Sequence, residues 1–193
     1  KYDFIGDNLI IDGQDKNVKF YYNGPGDCGQ AENRGCMRIH GNDNIVRNIT
    51  WDRFPDGIHM RGGQRNLLEN LTINIICEDA TTFNGSSNSC MDCTLRNATY
   101  GRSADKTLMY STTDQAKLVI DNMNSTDGVQ PIRMTGVGES VVAIRNSTFQ
   151  GSRSQGPRFG GENATLIFEN NHSTGTQNGV RIGENVSALL RNN

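Results

Sequence analysis

The chain has 193 residues, a formal net charge of −2 and a hydrophobic fraction of 34%, with 22 glycines and 4 prolines. This length allows one domain over residues 1–193, and the sparse apolar content argues against a compact sandwich and favours a thin coil of short strands. The balanced charge and the lack of a long apolar run exclude nucleic acid and membrane as expected partners, and we expect a monomer.

Seven asparagines recur at nearly equal intervals, and each of them follows a charged residue. They are Asn48, Asn70, Asn97, Asn122, Asn146, Asn170 and Asn192. The steps between them are 22, 27, 25, 24, 24 and 22 residues. A period of this length without a helical apolar pattern is typical of one coil of a solenoid. We therefore predict an all-β, single-domain parallel β-solenoid of about seven to eight coils.

Short aliphatic runs closed by polar residues end at these asparagines and predict the strands of the coils. The runs cover residues 45–49, 67–71, 118–122, 142–146 and 166–170. Asparagine tolerates left-handed backbone angles, so we expect a ladder of amides at one corner of the stack. The residue before each asparagine alternates in charge sign along the chain, which predicts opposite charges on neighbouring coils.

The chain has five cysteines. Cys28 and Cys36 lie close together, and Cys90 and Cys93 form a Cys-Met-Asp-Cys run. This spacing predicts disulfides, with Cys77 left as the odd thiol, and disulfides form in oxidising compartments. We therefore expect a mature secreted protein.

Acidic residues fall at one offset from three of the asparagines. Eight residues after successive asparagines come Asp56, Glu78, Asp105 and Gln130. Asp79 follows Glu78, and Lys106 follows Asp105. Stacked coils lie about 4.8 Å apart, so these carboxylates should repel one another unless a cation neutralises them. Oxygen ligands suit Ca²⁺, and we expect Asp56, Glu78 and Asp79 to bind it.

Cationic residues recur at offsets of eleven or twelve from the asparagines, and they are His59, Arg133, Arg158 and Arg181. Together with Lys106 they suit an anionic ligand, because guanidinium groups bind carboxylates in a fork. We expect a groove for an acidic polymer, with Asp105, Gln130, His59, Arg158 and Arg181 as substrate-binding candidates. The alternative is that these are solvated charges that protect a long sheet from aggregation.

Four short motifs occur in the order seen in one enzyme family. They are Gly-Gln-Ala-Glu-Asn at 29–33, Pro-Asp-Gly-Ile-His at 55–59, Cys-Glu-Asp-Ala-Thr-Thr at 77–82 and Ala-Asp-Lys at 104–106. Over roughly residues 11–135 the chain resembles the pectate lyases of polysaccharide lyase family 3. The resemblance implies a right-handed parallel β-helix, secretion, calcium dependence and β-elimination of polygalacturonate (pectate).

The resemblance also implies roles for individual residues. Asp56, Glu78 and Asp79 would bind calcium, and Glu32 would lie near a further calcium position. Lys106 and Arg133 would act on the substrate, with Arg133 in the place of the base. The alternative is that Lys106 takes the proton and Arg133 holds the substrate carboxylate. The chain departs from the family at two positions, where Asn84 and Gln130 stand in place of lysines. Losing these two cations should weaken uronate binding.

Two other functions fit the same residues. Asp56 with Glu78 or Asp79 could form the acid and base of a glycoside hydrolase. A solenoid that kept the groove but lost the base environment would bind carbohydrate without cleaving it. The three functions differ in their products, which are unsaturated sugars, new reducing ends, or none.

Overall fold

The computed structural model describes residues 2–14, 18–21, 37–84, 91–112, 115–136, 139–152, 155–175 and 177–193. Within these ranges 18 strands form one sheet, all of whose strand pairs are parallel, and no α-helix occurs there. A helix long and apolar enough to cross a membrane is likewise not found in the described residues. The strands are β1 (Tyr2–Ile5), β2 (Ile10–Asp12), β3 (Val18–Tyr21), β4 (Met37–His40), β5 (Ile45–Asp52), β6 (Ile58–Met60), β7 (Leu67–Ile76), β8 (Thr81–Asn84), β9 (Cys93–Thr112), β10 (Lys117–Thr126), β11 (Gly128–Gly136), β12 (Val141–Arg145), β13 (Thr148–Gln150), β14 (Arg158–Gly161), β15 (Ala164–Glu169), β16 (His172–Thr174), β17 (Arg181–Ile182) and β18 (Val186–Arg191).

The strands stack into three faces. The asparagine face is formed by β2, the first parts of β5, β7, β9 and β10, and then β12, β15 and β18. The middle face is formed by β3, the later parts of β5, β7 and β10, the central part of β9, and then β13 and β16. The arginine face is formed by β1, β4, β6, β8, the end of β9, β11, β14 and β17.

The β-solenoid fold is confirmed, with about six turns rather than the seven to eight expected. The difference arises at the ends of the stack. There β1 and β18 each contribute a single strand, and the coil from β2 to β4 passes through residues outside the described ranges.

The predicted asparagine ladder is confirmed. All seven asparagines have left-handed backbone, with φ from 51 to 58°. Asn97 donates its amide to Asn70 at 3.1 Å and accepts from Asn122 at 2.9 Å. Two members donate to a carboxylate instead, Asn48 to Asp12 and Asn146 to Asp121, each at 2.8 Å. Because asparagine adopts φ > 0 more readily than most residues, the repeat in sequence becomes a continuous corner in space.

The alternating charges beside the ladder pair across coils as expected. Arg47 contacts Asp12 at 2.7 Å, and Arg96 contacts Glu69 at 2.8 Å. Exposed pairs of this kind contribute about 0–1 kcal/mol each. Their main effect is therefore on register, since a slipped coil would bring like charges together.

One apolar core runs through the solenoid, between the three faces. Val46, Leu68 and Leu95 stack on the asparagine face and are fully buried. Trp51 lies on the middle face, 1% exposed, and stacks on Phe20 with ring centroids 5.5 Å apart. Successive strand residues point alternately inward and outward. The inward residues form this core, and the outward residues form the surface of each face.

Two cysteines lie in the described residues, and both are disulfide-bonded. The expectation that Cys77 is the odd thiol is therefore wrong. The register of β7 and β9 places Cys93 beside Asn66, about ten residues along the strand from Cys77. At about 3.3 Å per residue this separation is too long for the two to bond to each other. No disulfide thus joins two described residues, and the pairing stays a prediction.

Candidate functional site

The predicted acidic residues lie where the chain turns from the middle face onto the arginine face. Asp56 precedes β6, and Glu78 and Asp79 precede β8. Asp105 and Lys106 lie within β9, which passes this corner as one continuous strand. Parallel stacking therefore brings the five residues together at one edge of the arginine face.

Four successive coils contribute one residue each to what we call the site row: Asp56, Asp79, Lys106 and Gln130. The equal-offset count placed Glu78 and Asp105 in the two middle positions, and this alignment is wrong by one residue. The segment between the asparagine and the arginine face is one residue longer in the coils of Glu78 and Asp105. Glu78 and Asp105 instead neighbour each other one position earlier.

Lys106 is held by two carboxylates. Its ammonium contacts Asp105 in a short ion pair and lies 3.4 Å from Asp79 Oδ1. The same Asp79 oxygen accepts a hydrogen bond from the Lys106 backbone N–H at 3.1 Å. The lysine side chain is only 12% exposed. Charge-assisted bonds of this kind fix the position of the ammonium between the two coils.

Asp56 is buried, and its carboxylate is held within its own coil. It accepts a hydrogen bond from the Gly57 backbone N–H at 3.0 Å and lies 2.8 Å from His59 Nε2. The coil is tight at this point, because a Cβ on Gly57 would lie 1.8 Å from the carbonyl oxygen of Ala80. His59 is thus a neighbour of the carboxylate cluster, on the outer surface of β6.

The cluster concentrates negative charge in a partly dry environment. Burial raises the pKa of the Glu78 carboxyl, and repulsion from Asp105, Asp79 and Asp56 raises it further. Burial also raises the pKa of Asp79, against the opposing effect of the Lys106 ammonium. The two carboxyl groups therefore hold protons more tightly than ordinary ones, as acid–base groups of active sites do.

The donor chemistry of the cluster suits calcium, but its carboxylates contact neighbouring cationic side chains. Carboxylate oxygens are ligands that Ca²⁺ prefers. In the described ranges, however, no group of three or more His, Cys, Asp or Glu side chains is placed to hold a metal ion. Lys106 lies against two of the carboxylates, and His59 lies against Asp56. Glu32, the further calcium candidate, lies outside the described residues.

Arg133 lies in a different row of the same face. Its register partners are Met109 on one side and Arg158 on the other, and Arg181 follows Arg158. Arg133 is three residues beyond Gln130 along β11, a distance of about 10 Å. The structure therefore brings Lys106 together with the acidic residues, and it places Arg133 farther across the arginine face.

Two polar residues of this face were missed by the sequence analysis. Arg38 and Thr82 lie in register on either side of His59. Arg38 Nε and Thr82 Oγ1 are buried and have no hydrogen-bond partner in the described part of the chain. Arg38 lies between two apolar residues in Met-Arg-Ile at 37–39, as His59 does in Ile-His-Met at 58–60, and this similarity could have identified it. The asparagine repeat could not, because it begins only after Arg38.

No protein-family model and no curated protein matches this chain. The β-solenoid fold is thus shown by the structure, while the pectate lyase resemblance stays a hypothesis carried by its four motifs.

Proposed function

We propose that this protein binds an acidic polysaccharide along its arginine face and cleaves it by calcium-dependent β-elimination, as pectate lyases do. One observation carries the proposal. Lys106 is held between Asp79 and Asp105 at the edge of a face that continues with the half-buried cations Arg133 and Arg158. Carboxylates with raised pKa beside a fixed ammonium, next to a cationic surface, suit proton removal from an anionic sugar.

The reaction breaks the C5–H bond beside a uronate carboxylate. The electron pair of that bond forms the C4–C5 double bond, and the C4–O bond breaks with its electrons on the leaving oxygen, which takes a proton from water. An arginine or lysine that accepts the C5 proton must be neutral at that moment. Either Arg133 is the base, or Lys106 is the base and Arg133 holds the substrate carboxylate in a fork.

The proposal includes calcium because the clustered carboxylates carry negative charge that a divalent cation would neutralise. A bound divalent cation stabilises the negative charge that develops on the uronate. Asp56, Glu78 and Asp79 are the proposed ligands, and Lys106 would have to release Asp79 before a cation could bind there. A chelator should then reduce activity, whereas a purely side-chain mechanism should be indifferent to it.

The test is ultraviolet absorbance of the unsaturated product from polygalacturonate, with calcium and then with chelator. Arg133→Ala and Lys106→Gln should each reduce the rate strongly. Arg102→Ala is the matched control, because Arg102 is exposed in β9 on the middle face and its loss changes the net charge equally. If the purified protein forms no unsaturated product from any polyuronate, with or without calcium, the lyase proposal is wrong.

The raised pKa of Glu78 favours a second candidate, hydrolysis of a glycosidic bond. A carboxyl group that holds its proton more tightly than usual can act as a general acid, with Asp56 or Asp79 as its partner. This function would release reducing ends without a new double bond and would persist with chelator. Binding of polygalacturonate without either product would instead indicate a non-catalytic carbohydrate-binding protein.

We also propose that the protein works outside the cell as a monomer, on polysaccharide rather than on nucleic acid or membrane. The disulfide-bonded state of Cys77 and Cys93 supports an oxidising compartment. Mass spectrometry of the protein purified from its native source, with and without reduction, tests this placement. Free thiols at both cysteines would contradict it.

A further inference from the structure

Three arginines stand in register on successive coils of the arginine face. Backbone pairing aligns Arg133 with Arg158, and Arg158 with Arg181. Ile132 and Met134, on either side of Arg133 in β11, are buried in the core. Since strand residues alternate between the two sides, the Arg133 side chain points outward, and the register gives the other two the same direction. We call these three residues the arginine row.

The arginine row lacks the charge alternation of the asparagine face. None of its three guanidinium groups pairs with a carboxylate of the described residues. On the asparagine face the same chain places opposite charges on adjacent coils, as in Arg96 and Glu69 at 2.8 Å. Like charges about 4.8 Å apart repel. An anion that bridges the three coils would remove this repulsion.

The surface beside the arginine row is shallow. Thr135 pairs with Gly160, and Gly183 follows on the next coil. A Cβ on Gly160 would meet only the carbonyl oxygen of Met134, at 3.8 Å. Small residues on two successive coils therefore leave an open floor along the solenoid axis, on which an extended polymer could lie.

We propose that Arg133, Arg158 and Arg181 bind successive ionised carboxylates of one linear polyuronate, which lies parallel to the solenoid axis. The three guanidinium groups that the polyuronate contacts are spaced by the coil repeat of about 4.8 Å. Binding therefore requires a run of consecutive unesterified uronates that reaches all three arginines. This inference rests on the proposed polysaccharide binding and does not depend on the elimination chemistry.

The experiment measures affinity for galacturonate oligomers of increasing length, in the cold, while absorbance confirms that they stay intact. The test variant is the double substitution Arg158→Ala with Arg181→Ala. The control is Arg102→Ala with Arg191→Ala, which removes two exposed arginines from other faces. At about fivefold for each surface contact, the test variant should bind a long oligomer about 25-fold more weakly than wild type.

Three results support the inference together. Wild type gains affinity with oligomer length up to the span of the arginine row, the test variant loses this gain, and methyl-esterified pectin binds as weakly to wild type as to the variant. Equal weakening in the test and control variants would overturn it, since only net charge would then matter. Tight binding without any unsaturated product would reject the lyase proposal and leave the arginine row intact as a binding site.

Discussion

The ladder of asparagines holds one corner of the solenoid, and Asn97→Ala should weaken the fold measurably. Asn97 has φ of 52°. Its amide donates to Asn70 at 3.1 Å, and its carbonyl oxygen accepts from Asn122 at 2.9 Å. Alanine at this position keeps the left-handed backbone but loses both hydrogen bonds and the tolerance of asparagine for φ > 0.

The magnitude follows from two contributions. A left-handed conformation costs an L-residue such as alanine about 1–2 kcal/mol. Each lost hydrogen bond between exposed side chains contributes about 0.5–1 kcal/mol, toward the lower end of the usual range. The substitution should therefore lower the free energy of unfolding by about 2–4 kcal/mol. Asn97→Gly removes the same two bonds without the backbone cost. Glycine should therefore lower the free energy of unfolding by about 1 kcal/mol less than alanine does.

Urea denaturation of the three proteins measures the difference, provided that the slope with denaturant stays the same. Asn124→Ala is the control, because Asn124 is exposed in the same strand as Asn122 and has an ordinary φ. If glycine at position 97 destabilises as much as alanine, the positive φ is not the reason for asparagine there. If both substitutions match the control, the ladder contributes nothing to stability.

Three further outcomes are expected. Gly57→Ala should prevent correct stacking of its coil, because the new Cβ would lie 1.8 Å from the Ala80 carbonyl oxygen. Gly179→Ala is the control, because a Cβ there meets nothing within 4 Å. Thermal melting followed by circular dichroism compares the two variants. Glu78→Gln should raise the free energy of unfolding at neutral pH, because the raised pKa means that the ionised form is disfavoured in the fold. That gain in stability should vanish as the pH falls below 4.5, the ordinary pKa of a glutamate. Urea denaturation without calcium, at neutral pH and below pH 4.5, measures it. A gain that is the same at both pH values would contradict the reasoning. Lys106→Gln should raise the pKa of the half-buried Asp79 carboxyl, since the ammonium lowers it. A carbon-13 titration of Asp79 that shows no rise would refute this.

Repetition in the sequence was enough to predict the fold class and the corner. Asparagines at a nearly constant interval, preceded by aliphatic residues and alternating charges, identify one strand per coil. The structure confirms this interpretation at Asn48 through Asn192. The prediction succeeded because parallel stacking repeats the same local environment on every coil, so the same residue type is favoured each time.

The candidate site was predicted less completely. Its members were identified, but the row was off by one residue, with Asp79 and Lys106 where Glu78 and Asp105 were expected. Arg38 and its buried Nε were missed, because the asparagine count starts beyond it. Counting from one corner becomes unreliable after each turn, since turns tolerate an added residue without disturbing the strands that they join.

The sequence by itself thus determined a parallel β-solenoid with an asparagine corner, because that corner depends on local backbone preference and on contacts repeated at a constant period. Only the tertiary structure decided which charges meet on the arginine face. It placed Lys106 between Asp79 and Asp105, set Arg133 apart from them, and aligned three arginines without acidic partners among the described residues. Apart from the pair of Lys106 with its neighbour Asp105, these residues are more than twenty positions apart, so their alignment depends on the length of every intervening turn.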